Sequence, residues 1–257
     1  MKYQAVIFDW AGTMVDFGSI APMGAFVEAF ARFQVQATIE EARAPMGMAK
    51  RDHIKSMIMA PRLAKNWKAV RGYPPTEADI DDVYDVFIPL NENVAAKYAT
   101  LVPGALETIN YLRARGVKIG STTGYTRSIM KHVLPVAAKQ GYEPDNLVCS
   151  DDLKEGRPGP LGMYQCCVDL CIHPIEALIK VDDTVPGIQE GVSAGCLTIG
   201  VALSGNYVGL TPDELAELSK EERDVRRQFA TRKLKAAGAD YVIDTVADLP
   251  ELIDRLI

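Results

Sequence analysis

The sequence has no long hydrophobic run, and it carries no excess of positive charge. Among its 257 residues, no stretch approaches the roughly 18 uncharged apolar residues of a membrane span, and the N-terminus lacks the apolar run of a signal peptide. We therefore expect a cytoplasmic protein without a membrane segment. Lys and Arg number 28 against 34 Asp and Glu, a net charge of −6. This balance disfavours general attraction to nucleic acid or to an anionic membrane, so an anionic ligand must be held by local chemistry.

Cysteines are few as well, and the five present are an odd number. Cys167 and Cys171 stand four residues apart, but no His or further Cys at ligand spacing joins them, so we expect buried, reduced thiols on a helix. The composition is 48 % hydrophobic and 24 % charged, which excludes collagen-like, disordered and disulfide-stapled classes. The length is about 1.7 times a typical domain of roughly 150 residues, which predicts one large domain or a core with an insertion.

Short apolar runs alternate with helical patterns along most of the chain. Runs that are apolar on both faces indicate a parallel sheet covered by helices on either side. The runs are AVIF at 5–8, VKIG at 117–120, LIKV at 178–181, TIGVAL at 198–203 and YVI at 241–243, and helices are expected at 126–140, 160–171 and 185–194. The pattern predicts an α/β fold with a doubly wound, mostly parallel sheet, in which ligands bind beyond the carboxyl ends of the strands.

The alternation is interrupted between the first run and the second. That stretch has no convincing strand but several helix starts, including capping-box patterns at Thr38 and Thr76. We interpret it as an all-helical cap inserted after the first strand. The predicted domains are a catalytic core of residues 1–18 and 100–257 and a helical cap of residues 19–99.

Polar residues follow three of the apolar runs. Asp9 ends the first and precedes a Gly-Thr turn, GSTTGY at 120–125 ends the second, and KVDDT at 180–184 ends the third. An acidic residue followed by exposed amides can hold a metal and a phosphoryl group together. An isolated Asp at such a turn is more often a simple turn cap. Because all three polar segments follow strands of one predicted parallel sheet, we expect them to converge on one crevice, which favours a binding site over a turn cap at Asp9.

These residues resemble the motifs of the haloacid dehalogenase superfamily: a nucleophilic Asp after strand one, a Ser or Thr after strand two, a basic residue and a carboxylate pair. Within that superfamily the sequence is similar, nearly end to end, to the phosphonatase family. The segments that carry the similarity are FDWAGTMVDFGS at 8–19, EARAPMGMAKRDHI at 41–54, KIGSTTGYTR at 118–127, GRPGP at 156–160 and KVDDTVPGI at 180–188. The resemblance implies a hydrolase that cleaves the carbon–phosphorus bond of phosphonoacetaldehyde, giving acetaldehyde and phosphate, in the degradation of 2-aminoethylphosphonate.

The resemblance also implies roles for individual residues. Asp9 is the expected nucleophile that accepts the phosphoryl group, and Mg²⁺ is expected on Asp9, the main-chain carbonyl of Ala11, and Asp183. Arg157 stands where most of the superfamily has Lys, and with Thr123 it is expected to hold phosphoryl oxygens, since a guanidinium grips two oxygens at once. A surface position for Arg157 fits its Gly and Pro neighbours equally well. The other expected substrate-binding residues are Thr13, Met46, Thr122, Gly124 and Tyr125; for Tyr125, simple packing is the alternative.

Ala11 distinguishes this sequence from the phosphatases that it resembles. Those enzymes place a second Asp two residues after the nucleophile, which protonates an alkoxide leaving group and then activates water. Alanine can do neither, which disfavours ester hydrolysis. Cleavage of a carbon–phosphorus bond instead expels a carbanion, which a protonated imine one carbon away stabilises as an enamine. The group that activates water on the aspartyl phosphate stays open between the freed amine of Lys50 and His53.

The imine requires an amine, and the resemblance assigns it to Lys50. We expect Lys50 on the helix that begins at Thr38, with His53 three residues on and on the same face. Lys50 forms an imine only when neutral, so its pKa must be lowered by burial or a nearby cation. His53 is expected to move protons. Without the resemblance, Lys50 would be interpreted as a solvated helix charge and His53 as a partly exposed histidine.

Two alternatives and two departures remain. The alternatives are a phosphate-ester phosphatase or phosphomutase on the same core, and a non-catalytic module that binds Mg²⁺ or anions. The departures are Ser19, where some relatives have a Cys, and Asp182, at a position that can be Gly, together with Gly187, which replaces a downstream Asp seen in others. By resemblance we also expect a homodimer that acts on a small-molecule phosphonate.

Overall fold

The computed structural model describes residues 3–256, in which five parallel strands form one sheet in the order β2-β1-β3-β4-β5. The strands are β1 (Ala5–Phe8), β2 (Lys118–Ser121), β3 (Leu178–Asp182), β4 (Leu197–Val201) and β5 (Tyr241–Ile243). This confirms the predicted α/β fold with a parallel sheet. The predicted run at 198–203 differs most from its strand, which begins one residue earlier and ends at Val201.

Twelve α-helices are found among the described residues. They are α1 (Ala21–Arg32), α2 (Ile39–Arg43), α3 (Lys50–Ile58), α4 (Pro61–Arg71), α5 (Glu77–Ala95), α6 (Ala105–Arg113), α7 (Arg127–Lys139), α8 (Leu161–Leu170), α9 (Val185–Ala194), α10 (Pro212–Glu217), α11 (Lys220–Ala236) and α12 (Leu249–Leu256). The capping boxes predicted at Thr38 and Thr76 are both formed, since each Thr hydroxyl accepts from the amide three residues on. Their acidic partners Glu41 and Asp79 in turn accept from the backbone amides of these Thr residues.

The strand register places the functional motifs at one level of the sheet. Phe8 of β1 pairs with Ser121 of β2 and with Val181 of β3. The residues that follow these three positions therefore emerge side by side at the carboxyl edge. All residues of β1 and β3 are buried, as expected for central strands that helices cover on both faces.

The helices α1 to α5 form a hydrophobic cluster of their own, separate from the clusters around the sheet. Phe26, Phe30, Trp67 and Phe87 lie at its centre and are fully buried. The chain leaves and re-enters the sheet region along two adjacent segments, because the amide of residue 16 donates to the Thr100 carbonyl at 3.1 Å. Among the described residues, no helix is long and apolar enough to cross a membrane.

Candidate active site

Three carboxylates and two threonines come together at the carboxyl edge of the sheet. Asp9 directly follows β1, Thr122 and Thr123 follow β2, and Asp182 and Asp183 stand at the end of β3. All five residues are buried. The parallel register therefore produces the cluster that the strand-end motifs predicted.

Lys50 approaches this edge from the inserted helices, but on a different helix from the predicted one. The helix begun at Thr38 ends at Arg43, and Lys50 is the first residue of α3. Pro45 and Gly47 lie in the break, and Gly47 has a φ of +94°, which favours glycine. The prediction of a single continuous helix is wrong because the chain turns here to bring Lys50 over the sheet.

A small cavity of about 20 Å³ lies between the residues at the carboxyl edge of the sheet and Lys50. It is lined by Asp9, Ala11, Ser19, Met46, Gly47, Lys50, Thr123, Gly124, Tyr125, Arg157 and Thr184. A water molecule needs roughly 10–15 Å³, so the cavity is too small for a phosphonate. Entry of such a ligand therefore requires the residues around the cavity to move apart.

Lys50 has the surroundings that an amine nucleophile requires. Its side chain is 2 % exposed, and its Nζ lies 4.8 Å from the ring centre of Tyr125 and 5.6 Å from that of Phe26. Burial lowers the pKa of Lys50 to about 7; the charge of Asp9 opposes this change and that of Arg157 adds to it. The position at the first turn of α3 further disfavours a positive charge. A large fraction of the amine is therefore neutral near pH 7.

The pKa values of two carboxyls, Asp9 and Asp183, are raised in the same space. Burial, and then the charge of Asp182, raise the pKa of Asp9 to about 6. Burial and the charges of Asp9 and Asp182 raise the pKa of Asp183 well above its ordinary value. Repulsion between buried carboxylates is relieved when a cation lies between them.

The donor set fits Mg²⁺. One oxygen from each of Asp9, Asp182 and Asp183 lies within 4.8 Å of the others, and carboxylate and carbonyl oxygens are the ligands that Mg²⁺ prefers. Asp182 is already engaged by cations, because its Oδ2 is 3.1 Å from Lys180 Nζ and 3.3 Å from an Arg157 nitrogen. Arg157 and Lys180 hold the pKa of Asp182 below its ordinary value in spite of burial, whereas the pKa values of Asp9 and Asp183 are raised. A bound cation would therefore stabilise the charges of Asp9 and Asp183 most.

Arg157 is buried and directed at the nucleophile. Its Nη1 donates to Asp9 Oδ1 at 2.8 Å, its Nε to Glu190 Oε2 at 3.0 Å, and its Nη2 to the Thr122 carbonyl and hydroxyl at 2.8 Å. Burial opposes its charge, but Asp182, Glu190 and Asp9 raise the pKa of Arg157 above its ordinary value. The interpretation of Arg157 as a surface charge is thus wrong.

The threonine hydroxyls predicted to bind substrate differ in how many of their hydrogen-bonding positions are already occupied. The Thr122 hydroxyl accepts from Lys180 at 2.6 Å and from Arg157 at 2.8 Å, and donates to Glu190 at 2.8 Å. One hydroxyl has one hydrogen and two lone pairs, so this group is fully used. Thr13 donates to Asp183 Oδ1 at 3.2 Å. Thr123, by contrast, lines the cavity.

His53 lies next to Lys50 but does not line the cavity. Its ring stacks on Phe26 with centroids 3.9 Å apart, and its Nε2 is 2.7 Å from the Ala42 carbonyl oxygen. A carbonyl only accepts, so Nε2 carries the hydrogen, and Nδ1 has no hydrogen-bond partner among the described residues. Burial, and then the charge of Lys50, lower the pKa of His53 well below its ordinary value. His53 is thus a neutral ring with a free lone pair.

No role is assigned from the sequence to several residues of the site. Lys180 lies within a strand and Glu190 within a helix, where each has the ordinary appearance of a framework residue. Arg43 donates to the carbonyls of Gly18, Asn206 and Gly209 at 2.9 to 3.2 Å. The backbone amide of Asn206 in turn donates to Asp183 Oδ2 at 2.7 Å. Contacts between residues this far apart in sequence become visible only in the tertiary structure.

The arrangement is a buried acidic site at the carboxyl edge of an α/β core, and comparison with known proteins gives the family of the chain. A family model of haloacid dehalogenase-like hydrolases matches residues 3–195. Proteins named phosphonoacetaldehyde hydrolase are similar over nearly the full length. The one from Paraburkholderia phytofirmans is 52 % identical, covering 98 % of this chain and 95 % of that protein. The one from Salmonella typhi is 47 % identical, covering 99 % and 96 %.

A solved structure agrees with these matches. The crystal structure of a phosphonoacetaldehyde hydrolase-like protein from Oleispira antarctica superposes with a TM-score of 0.98 at 42 % identity, covering all of this chain and 93 % of the other. A hydrolase from Pseudomonas syringae, 18 % identical with a TM-score of 0.73, shares the fold. This chain is an enzyme that belongs to the haloacid dehalogenase-like hydrolases and, within them, to the phosphonoacetaldehyde hydrolase family. The family predicted from the motifs is confirmed.

Proposed function

We propose that the protein hydrolyses phosphonoacetaldehyde to acetaldehyde and phosphate, with Mg²⁺ bound by Asp9, the Ala11 carbonyl and Asp183. The observation that carries the proposal is a buried amine with a lowered pKa, Lys50, in one cavity with the carboxylate of Asp9. The names of the full-length relatives support the substrate. The ion would neutralise charge on the transferring phosphoryl group.

The first covalent step uses the neutral amine of Lys50. Its Nζ attacks the aldehyde carbon, water leaves, and the resulting imine is protonated. The rings of Phe26 and Tyr125 face Nζ and shield the imine from water until the next step is complete. His53 is proposed to move protons in this step through its free Nδ1.

The second covalent step breaks the carbon–phosphorus bond. Asp9 attacks phosphorus, and the electron pair of the broken bond moves into the protonated imine to form an enamine. Arg157 and Thr123 bind phosphoryl oxygens, and the amides around Gly124 orient them. The enamine carbon then takes a proton, and water hydrolyses both the imine on Lys50 and the phosphoryl group on Asp9. Ala11 leaves no carboxylate for an alkoxide leaving group, which disfavours ester hydrolysis.

The proposed domain arrangement follows from the same geometry. A core of residues 1–18 and 100–257 provides Asp9, Thr123 and Arg157, and a cap of residues 19–99 provides Lys50 and Met46. Since the cavity is too small for the substrate, opening and closing of the cap is part of the catalytic cycle. Three further points stay predictions. They are the contacts of Thr13, Thr122 and Tyr125 with substrate, assembly as a homodimer, and location in the cytoplasm.

Borohydride trapping combined with phosphate release tests the proposal. With phosphonoacetaldehyde and Mg²⁺, the protein should release phosphate, and borohydride should leave a reduced two-carbon adduct on Lys50. Lys50→Arg should abolish both, whereas Lys55→Arg, an exposed change on the same helix, should affect neither. Turnover without an adduct on Lys50 would overturn the imine mechanism. Release of phosphate from ester substrates alone would favour an ordinary phosphatase.

A further inference from the structure

Beneath the nucleophile lies a buried group of charges, of which the proposed reaction uses only Arg157. Two cations, Arg157 and Lys180, form ion pairs with the carboxylates of Asp182 and Glu190. All four residues are buried. Lys180 Nζ lies 3.1 Å from an oxygen of each carboxylate. Buried charges persist only when they are paired, so each partner constrains the position of the others.

Asp182 is held from two directions within this group. Its Oδ1 accepts from the Thr184 amide at 3.0 Å and from the Thr184 hydroxyl at 2.7 Å. Its Oδ2 lies 3.1 Å from Lys180 Nζ and 3.3 Å from Arg157 Nη1, so it attracts both cations by charge, although it accepts no hydrogen bond from the described residues. The carboxylate is therefore fixed on one side by the first turn of α9 and on the other touches the guanidinium that reaches Asp9.

The absence of a side chain at Gly187 leaves the space that the Asp182 carboxylate occupies. A Cβ atom at position 187 would lie 2.0 Å from Cγ of Asp182. That distance is less than a van der Waals contact, so any side chain at 187 must displace the Asp182 carboxylate. The carboxylate at Asp182 and the glycine at 187 are therefore one coupled steric feature.

We propose that Asp182 is a positioning residue that aims Arg157 at the phosphoryl group, and that glycine at position 187 is required because the Asp182 carboxylate occupies the space of a side chain there. The inference rests on the proposed function in one respect, namely that Arg157 binds phosphoryl oxygens. Asp182 acts through Arg157 and Lys180, and it is not a ligand of the metal.

The affinity for inorganic phosphate, measured by calorimetry in saturating Mg²⁺, tests this inference without turnover. Asp182→Asn should weaken phosphate binding about tenfold or more, because Arg157 loses the charge that orients it. The same variant should keep the rise in melting temperature that Mg²⁺ causes in the unaltered protein. An unchanged phosphate affinity, or a lost response to Mg²⁺, would overturn the proposed role.

Gly187→Ala tests the coupling without changing any charge. In the native background it should displace the Asp182 carboxylate and weaken phosphate binding about as much as Asp182→Asn does. In an Asp182→Gly background the same alanine meets no carboxylate and should have no further effect. Gly24→Ala is the matched control, since Gly24 lies in a helix with nothing within 4 Å of an added Cβ. If Gly187→Ala weakened phosphate binding by the same factor in the Asp182→Gly background as in the native protein, the inference would be overturned.

Two further measurements separate folding and function from the inference. Borohydride trapping of the aldehyde on Lys50 should persist in Asp182→Asn, because imine formation does not use Arg157; loss of trapping together with a lower melting temperature would mean that Asp182 is merely structural and would overturn the proposal. If the native protein bound phosphate but did not hydrolyse phosphonoacetaldehyde, the proposed substrate would fail. The affinity ratios would still decide the role of Asp182.

Discussion

At the scale of single residues, the site depends on what burial does to ionisable groups. Lys50 is an amine whose charge is disfavoured by its surroundings, and Asp9 and Asp183 are carboxyls whose charges repel one another in the same small volume. Arg157 and Lys180 counter part of this negative charge from below. With Mg²⁺ also bound at Asp9 and Asp183, as proposed, the local charge would favour an anionic ligand although the protein as a whole is anionic.

The lowered pKa of Lys50 predicts a pH dependence. A lysine with an ordinary pKa of about 10.4 is neutral in only about 4 molecules in 10,000 at pH 7, whereas Lys50, with a pKa of about 7, is neutral in about half. The rate of borohydride trapping with saturating aldehyde should rise about tenfold per pH unit below pH 6 and level off above about pH 8. A midpoint near pH 10 would show that Lys50 titrates as a solvated amine.

His53 offers a second test at this scale. His53→Gln places an amide nitrogen where Nε2 now meets the Ala42 carbonyl, so the packing contact is kept while the basic lone pair is lost. If the ring transfers protons, kcat should fall by roughly 10²- to 10⁴-fold, and the melting temperature should change little. Nearly full activity in this variant would leave His53 with only a packing role against Phe26.

At the scale of elements, the junction between α2 and α3 determines where Lys50 lies. Gly47 lies in this junction with a positive φ, and a Cβ there would come within 2.2 Å of Thr184 Oγ1 at the start of α9. Arg43, the last residue of α2, is bonded to the loop that carries Asn206. The inserted helices therefore contact the core both through Gly47 and through Arg43.

Gly47→Ala should impair closure of the cap. Strain at positive φ costs roughly 1–2 kcal/mol, and the clash with Thr184 adds an effect on catalysis, so kcat/KM should fall more than stability does. Gly72→Ala is the matched control, because Gly72 has a φ of +83° with nothing within 4 Å of an added Cβ. Melting curves and steady-state kinetics of both variants measure the two contributions. Equal losses of kcat/KM would contradict a closing contact at Gly47.

At the scale of the whole molecule, Mg²⁺ is expected to couple binding to stability. If the ion binds the folded protein through Asp9 and Asp183 as proposed, a hundredfold excess over its dissociation constant should stabilise the fold by about 2.7 kcal/mol. For a chain of this size that is a rise of several degrees in melting temperature. A chelator should reverse the rise and abolish phosphate release.

Asp183→Asn is the control for this measurement. Removing one of two repelling buried carboxyls should leave the metal-free protein at least as stable as before, and it should abolish most of the response to Mg²⁺. A full response to Mg²⁺ in this variant would place the ion elsewhere.

The sequence by itself determined the order of strands and helices and the residues at the strand ends. Alternation of apolar runs with helical patterns is local information, and so are the capping boxes at Thr38 and Thr76, which the structure confirms. The motif resemblance identified the family for the same reason, because its residues lie in short contiguous segments. Lys50 was identified by that resemblance alone, since nothing in its local sequence distinguishes it from a solvated lysine.

Only the tertiary structure decided how these residues work together. The pKa of Lys50 depends on burial by Phe26 and Tyr125, which local sequence does not encode. The break before α3 depends on the close approach of Gly47 to Thr184. The pairing of Asp182 with Gly187 depends on a side chain from a strand end filling space beside the next helix. Charge, burial and steric fit are properties of neighbours in space, and most of those neighbours are distant in sequence.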